Sequence, residues 1–370
     1  MIRSPQVGDS IGGSAMTGMP SGKLVNLRRL ADRAGRFKML AIDQRDSLRA
    51  SLAKATAREP KQVTYAEMAT AKGVITEVLS PHSTATLVDP VYGLPQAVKL
   101  IPADVGVLVA NEDSYEPAGP GGKQRKARSI DGWSVSKAKR AGANAVKLLV
   151  YYTPEASTEV VAHQQHFART VGEECVREDI PFLLELVTYP IQEPSSDTPE
   201  FARKRPVHTL ASAREFSKDI YHVDILKLEF PGDLKYARPF NQGVFDGKDR
   251  PAVYDVEQVQ AFCQELNTAA QRPWVILSGG VAIKEFLVAL ELAVVAGASG
   301  FLCGRAIWKD VIPKYPNVDA MRTFLADEGA YNFARANAAA QRARPWFAHP
   351  HYGDWDVQLI DAGERWYLDY

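Results

Sequence analysis

Eight short apolar runs, each separated from the next by a longer stretch, set the strongest constraint on how this chain can fold. They are FKMLAID (37–43), TATLVD (84–89), VGVLVAN (105–111), AVKLLVY (145–151), PFLLELV (181–187), VDILKLE (223–229), WVILS (274–278) and GFLCG (300–304). Pro, Gly, Asp or Asn punctuate their flanks, as strand ends require. Between most of them lie helical patterns such as YAEMATAKGVITEVL, FARTVGEECVRE, VEQVQAFCQELNTA and IKEFLVALELAVVAGA. A strand–helix unit repeated eight times predicts an α/β fold of the (β/α)₈, or TIM, barrel type. A doubly wound sheet would want a GxGxxG after the first strand, and none stands there.

The 370 residues exceed what such a barrel needs and still suit one large domain. Residues 1–24 are Gly/Ser-rich without an apolar core and read as a flexible tail rather than a signal peptide. The barrel is expected over 25–345. The aromatic-rich remainder, 346–370, fits no ninth unit and is expected to pack on the barrel or on a neighbouring subunit of a homo-oligomer. The segment EPAGPGGKQRKARS (116–129) reads either as a mobile active-site loop or as a plain surface insertion. Lys plus Arg and Asp plus Glu both total 44, so no charge excess calls for nucleic acid or an anionic membrane as partner. No apolar run is long enough to span a bilayer. Cys175, Cys263 and Cys303 show no paired spacing and read as reduced thiols in a cytoplasmic protein.

Charged residues interrupt these strands in a telling way. Alternation in DILKLEF sets Leu226, Leu228 and Phe230 toward the helices and Ile225, Lys227 and Glu229 toward the barrel axis. The same rule turns Lys147 inward with Leu149 and Tyr151, and Glu185 inward opposite Phe182, Leu184 and Leu186. Asp43 ends the first strand at the C-terminal mouth, where barrels keep their chemistry. One buried Lys–Glu pair is often structural. Three ionisable groups at similar depth on strands 4, 5 and 6 are harder to explain so, because each costs several kcal/mol to desolvate if unpaired.

Such a trio suits a lysine nucleophile, which must be neutral to attack. Burial and a nearby ammonium both favour the neutral amine, and Lys227 beside Lys147 meets both conditions. Glu185 is then placed to move protons, and Asp43 to accept or orient the proton of a substrate hydroxyl. An iminium on Lys227 is itself the electron sink, so no cofactor or metal is called for. Strand 7 runs into Ser278-Gly279-Gly280, and strand 8 into Gly304-Arg305. Small residues there let backbone N–H groups approach a phosphate, and Arg305 adds a charged fork.

Together these residues resemble the class I tagatose-1,6-bisphosphate aldolase family, which includes sulfofructosephosphate aldolases. The matching blocks are Ala41-Ile42-Asp43-Gln44-Arg45, Asp89-Pro90-Val91-Tyr92-Gly93, Ala143-Asn144-Ala145-Val146-Lys147 with Tyr151-Tyr152, Phe182-Leu183-Leu184-Glu185-Leu186, Val223 to Glu229, Leu277-Ser278-Gly279-Gly280-Val281 and Cys303-Gly304-Arg305-Ala306. They follow the family's order over about residues 25–345. The resemblance implies that Lys227 is the Schiff-base lysine, Glu185 the proton-transfer residue, and Asp43 and Lys147 their partners. It adds Gln44 and Arg45 to the substrate-binding set. The chain departs from the family at Asp46, where a Gly is usual, and in its 116–129 insertion and long tail. An extra carboxylate at Asp46 is expected to disfavour a second phosphate nearby.

The expected reaction is cleavage of a ketose phosphate to dihydroxyacetone phosphate and an aldehyde. A transaldolase using the same iminium and a non-catalytic sugar-phosphate sensor are the alternatives. Other features read as ordinary structure. The pairs His163/His166 and His349/His351 lack a third metal ligand and are expected on the surface. The run from Lys123 to Arg128 lacks a wider basic face for nucleic acid and reads as a solvated loop that helps capture an anionic sugar. Cys303 has no evident base beside it and reads as a small buried residue.

Overall fold

The computed structural model describes residues 18–353 and 357–368. Eight parallel strands close into a barrel: β1 (Phe37–Ala41), β2 (Ala85–Val88), β3 (Gly106–Ala110), β4 (Ala145–Tyr151), β5 (Phe182–Val187), β6 (Ile225–Leu228), β7 (Trp274–Ile276) and β8 (Gly300–Cys303). Each strand pairs with its sequence neighbours, and β8 closes the ring against β1 through Phe37↔Gly300 to Leu40↔Cys303. All eight apolar runs supply a strand. The helical patterns become Tyr65–Leu79, Thr158–Arg177, Val256–Ala269 and Ile283–Ala296 on the outside. Their starts are chemically marked. Thr64 and Glu67 form a reciprocal capping box, with Glu67 Oε2 accepting from the Thr64 N–H at 2.8 Å.

Alternation along each strand splits the core in two. Outward residues such as Leu148, Leu184, Leu226 and Ile276 pack beneath the helices. Inward residues such as Met39, Leu108, Leu183 and Val275 fill the barrel. Tilted strands climb about one residue per neighbour, so a level holds side chains from alternate strands. By the observed registers, Met39, Leu108, Leu183 and Val275 form one level. Above it Leu87, Lys147, Lys227 and Leu302 form the next, and Ala41, Ala110, Glu185 and Leu277 the one after. The apolar lower half is a packed plug, and charge begins abruptly halfway up.

Closure of the barrel depends on Gly300. Its φ is +134°, and a Cβ there would sit 1.8 Å from the Phe37 carbonyl oxygen. Gly300→Ala is therefore expected to cost about 3 kcal/mol or more, read as a lower urea midpoint at unchanged slope.

The segment 116–129 is not an irregular loop. Glu112–Ala118 and Gln124–Ser129 form an antiparallel hairpin rising from the end of β3. It docks on the helix Thr158–Arg177, where Gln164 Oε1 accepts from the Ala127 N–H at 3.0 Å and Gln164 Nε2 donates to the Arg125 and Tyr151 carbonyls. At the chain ends, residues 1–17, 354–356 and 369–370 lie outside the described residues, and with them most of the expected flexible tail. Residues 21–24 belong to a helix, Ser21–Leu30. Trp346 and Tyr352 are buried at the lower rim, and Met19 bridges to Leu359. Among the described residues no helix is long and apolar enough to cross a membrane.

Candidate active site

At the C-terminal mouth a cavity of about 440 Å³ is lined by Asp43, Glu112, Lys147, Glu185 and Lys227 together with Gln44, Arg45, Ser278, Gly279, Gly304 and Arg305. Ten of the eleven residues singled out in the sequence thus share one chamber. The exception, Gly280, lies just behind, and its carbonyl accepts from Lys309 Nζ at 2.9 Å.

Lys147 sits at the centre of the charge network. Its Nζ lies 2.8 Å from Asp43 Oδ2, 2.6 Å from Glu112 Oε1 and 2.9 Å from Glu185 Oε2. The same Glu185 oxygen lies 2.9 Å from Lys227 Nζ. One carboxylate oxygen therefore bridges the two ammonium positions, which stand no further apart than twice that distance. The level structure explains this: the lysines share a level on β4 and β6, and Glu185 projects between them from β5, one level up.

Burial opposes the charge on Lys147, but Asp43, Glu112 and Glu185 together hold its pKa well above the usual lysine value. Burial also works against the Asp43 carboxylate, yet Lys147 and Lys227 pull it well below the ordinary range. Glu185 is lowered through the same two lysines, again against burial. At Glu112 burial wins over Lys147, and its pKa is raised. Lys147 is thus a fixed cation shared by three carboxyl groups.

Glu112 and Lys72 complete the site and were not read from the sequence as functional. Glu112 stands just past β3, where a polar residue looks like routine strand punctuation. Continuing the alternation from Leu108 and Ala110 would have pointed it inward. Its Oε2 also accepts from the Leu149 N–H at 3.0 Å, which locks it against β4. Lys72, on the helix Tyr65–Leu79, is fully buried and pairs with Asp89 while donating to the Ile42 carbonyl at 2.6 Å. Asp89 in turn accepts from the Val91 and Tyr92 N–H groups at 2.9 and 2.8 Å. The Asp-Pro-Val-Tyr-Gly block is therefore a buttress that fixes the chain just before Asp43.

The rim residues divide by commitment. Gln44 Nε2 donates to Asp43 Oδ1 at 3.1 Å, and its Oε1 is buried without a hydrogen-bond partner among the described residues. Arg45 reaches across the mouth to the Glu112 carbonyl at 2.6 Å and to Asp113 at 3.1 Å, so it pins the hairpin base. Gly279 and Gly280 take φ of +57° and +83°, turning the chain after β7 so that Arg305 lies directly over Gly280. Asp46, exposed at the start of the helix Asp46–Ala55, lines the same mouth.

The features set aside behave as structure, with one correction. His349 is buried at 5% exposure rather than on the surface, and its Nδ1 accepts from the His351 N–H at 3.2 Å. Burial lowers its pKa to about 4, so it is a neutral packing residue. His163 Nε2 lies 2.8 Å from the Ala127 carbonyl oxygen beneath the hairpin, and His166 is exposed. Among the described residues no cluster of three His, Cys, Asp or Glu has the geometry to hold a metal ion. Cys303 is fully buried, and burial pushes its thiol up to about 12.

A model of the DeoC/LacD family of aldolases matches residues 37–310. Tagatose 1,6-diphosphate aldolase 1 of Enterococcus faecalis is 35% identical over 319 residues, which cover 85% of this chain and 93% of that protein. Tagatose 1,6-diphosphate aldolase of Streptococcus pneumoniae is 34% identical over 330 residues, 88% and 97% of the respective lengths. Among solved structures, a fructose-bisphosphate aldolase from Plasmodium falciparum superposes with a TM-score of 0.57 at 12% identity, over 88% of this chain and 98% of that one. That likeness speaks for the barrel alone, whereas the sequence relatives and the family match speak for the chemistry. The chain belongs to the DeoC/LacD family and is an aldolase, a carbon–carbon lyase.

Proposed function

We propose that this aldolase works through a Schiff base on Lys227 and cleaves a ketose phosphate of the tagatose or fructose 1,6-bisphosphate or sulfofructose 1-phosphate type. The observation that carries the reading is the single Glu185 oxygen set 2.9 Å from both Lys227 and Lys147. A carboxylate so placed can take a proton from the Lys227 ammonium while Lys147 keeps the region cationic.

The steps then follow from chemistry. The Lys227 amine attacks the C2 ketone, and Glu185 relays the displaced proton to the former carbonyl oxygen. The proton that Glu185 first drew from the Lys227 ammonium supplies the second one, and that oxygen leaves as water, which yields the iminium. Asp43 takes the C4 hydroxyl proton. The C3–C4 bond breaks, its electron pair moves into the iminium as an enamine, and the aldehyde departs. Protonation at C3 and hydrolysis by water return the amine and release dihydroxyacetone phosphate.

Lys147 stays charged throughout and holds Asp43 and Glu185 in place. Ser278, Gly279, Gly280, Gly304 and Arg305 receive the phosphate next to the ketone. Gln44 Oε1 is a free acceptor for a substrate hydroxyl, and the Arg45 guanidinium holds the hairpin base beside the bound sugar.

Borohydride reduction in the presence of dihydroxyacetone phosphate tests the reading. The expected result is one stable adduct by intact-protein mass spectrometry, mapped to Lys227. An unmodified Lys227 would reject the mechanism.

A further inference from the structure

Seven cationic side chains line the catalytic cavity and the adjoining pocket, and most are already committed. The side pocket, about 380 Å³, shares Tyr151, Val187, Glu229 and the Leu277–Gly279 turn with the main chamber. Lys147 and Lys227 belong to the reaction centre. Arg45 is paired with Asp113, Arg205 with Glu229 at 3.3 Å, and Lys235 with Asp233 at 3.9 Å. Among the described residues, two lining cations form no ion pair: Arg305, at the proposed phosphate end, and Arg125.

Arg125 comes from the hairpin and is held in an unusual way. Its guanidinium lies 4.6 Å from the Tyr115 ring centroid, 4.5 Å from Tyr151 and 4.8 Å from Tyr189. Tyr115 and Tyr151 line the catalytic chamber, and Tyr151 and Tyr189 line the side pocket, so the cation stands at their junction. The neighbouring hairpin cations point elsewhere: Lys126 pairs with Glu159 at 2.7 Å and Arg128 with Asp113 at 2.7 Å. Strand alternation turns Arg125 and Ala127 to the inner face with Tyr115. Three aromatic faces orient the planar fork without neutralising it, whereas a carboxylate partner would cancel its charge. A preorganised, unpaired guanidinium is the arrangement that recognises a terminal oxyanion.

We infer that Arg125 is a specificity-determining residue that receives a second anionic group, at the end of the sugar remote from the ketone. This rests on the ketose-phosphate reading above and extends it. The substrate carries one anion for each uncommitted guanidinium, Arg305 at the near end and Arg125 at the far end. Asp46 lines the mouth just past β1, and its carboxylate repels an anion placed beside it. A phosphate and a sulfonate present the same chemistry to the fork.

The test compares substrates with and without that group. Wild-type and Arg125→Gln enzymes are assayed with tagatose 1,6-bisphosphate, fructose 1,6-bisphosphate, 6-deoxy-6-sulfofructose 1-phosphate and, as the truncated control, fructose 1-phosphate. The variant is expected to lose about 100-fold in kcat/KM, mainly through KM, on the doubly anionic substrates. Its loss on fructose 1-phosphate should be less than about threefold. The better doubly anionic substrate of the wild type tells phosphate from sulfonate. Arg125→Lys should recover part of the loss, since it restores charge without the fork. Equal losses on all four substrates, or no loss on any, would overturn the inference. The Lys227 adduct with dihydroxyacetone phosphate, which has no far end, must persist in Arg125→Gln. Its presence beside unselective kinetics would reject the role of Arg125 and leave the Schiff-base reading standing. Its absence in the wild type would reject both.

Discussion

Lys227→Met is expected to abolish aldol cleavage, with kcat falling by at least about 10⁵-fold, because no other side chain in the chamber can replace an amine nucleophile. Lys147 is the nearest candidate, but three carboxyl groups hold it as an ammonium with no lone pair to offer. The fold should survive the change. Methionine fills nearly the same space, and Glu185 keeps its contact with Lys147 at 2.9 Å. A thermal midpoint within a few degrees of wild type, together with loss of the borohydride adduct and of turnover, would establish the role. A variant that still cleaves the ketose would dismiss Lys227 as nucleophile. A wild type that binds ketose phosphates and turns over none would favour a sensor instead.

The second large effect is on stability as well as rate. Lys147→Met leaves Asp43, Glu112 and Glu185 buried around a vanished cation, and breaking such a network by removing one partner costs about 3–5 kcal/mol. The pH dependence distinguishes this from a packing defect. In the wild type Lys147 has a raised folded-state pKa, so its contribution is fully present below the ordinary lysine value of 10.5 and fades as pH rises past it. Asp43 and Glu185 have lowered pKa values, so theirs is present above the ordinary values of 3.8 and 4.5 and is lost as pH falls below them. Wild-type stability should therefore decline on acidification below about pH 4. In Lys147→Met the carboxyl groups have lost their main counter-charge, and protonating them relieves repulsion. Its midpoint should rise, relative to wild type, between pH 7 and pH 5. Urea titrations of both proteins at the two pH values read this directly. A deficit of the same size at both would assign Lys147 a packing role only.

Much of this was legible in the chain because two simple periodicities survive folding. Alternation within a strand decides which residue faces the axis, and it turns Lys147, Glu185 and Lys227 inward. Helix periodicity marks out Tyr65–Leu79, and the Thr64–Glu67 box fixes where it starts. Neither rule could reach contacts between residues distant in sequence that depend on side-chain length and strand stagger. Glu112 and Asp43 meet on Lys147 because the tilt of the strands raises β1 and β3 to one level at the rim. The 116–129 segment offered only Gly, Pro and basic residues, and its hairpin is held by Gln164 from a helix well downstream. The burial of His349 is out of reach for a similar reason, since nothing local in the aromatic-rich tail tells which histidine will be covered.

The class of fold and the inward set of charged residues can be read from the order of residues alone, since both rest on local periodicity and residue chemistry. Which carboxylate meets which lysine, that one Glu185 oxygen serves both, and that Arg125 stands among three tyrosines with no carboxylate partner among the described residues are settled only by the folded chain. Those outcomes depend on distances of a few ångströms between separate strands and loops, and the closure of the barrel sets such distances.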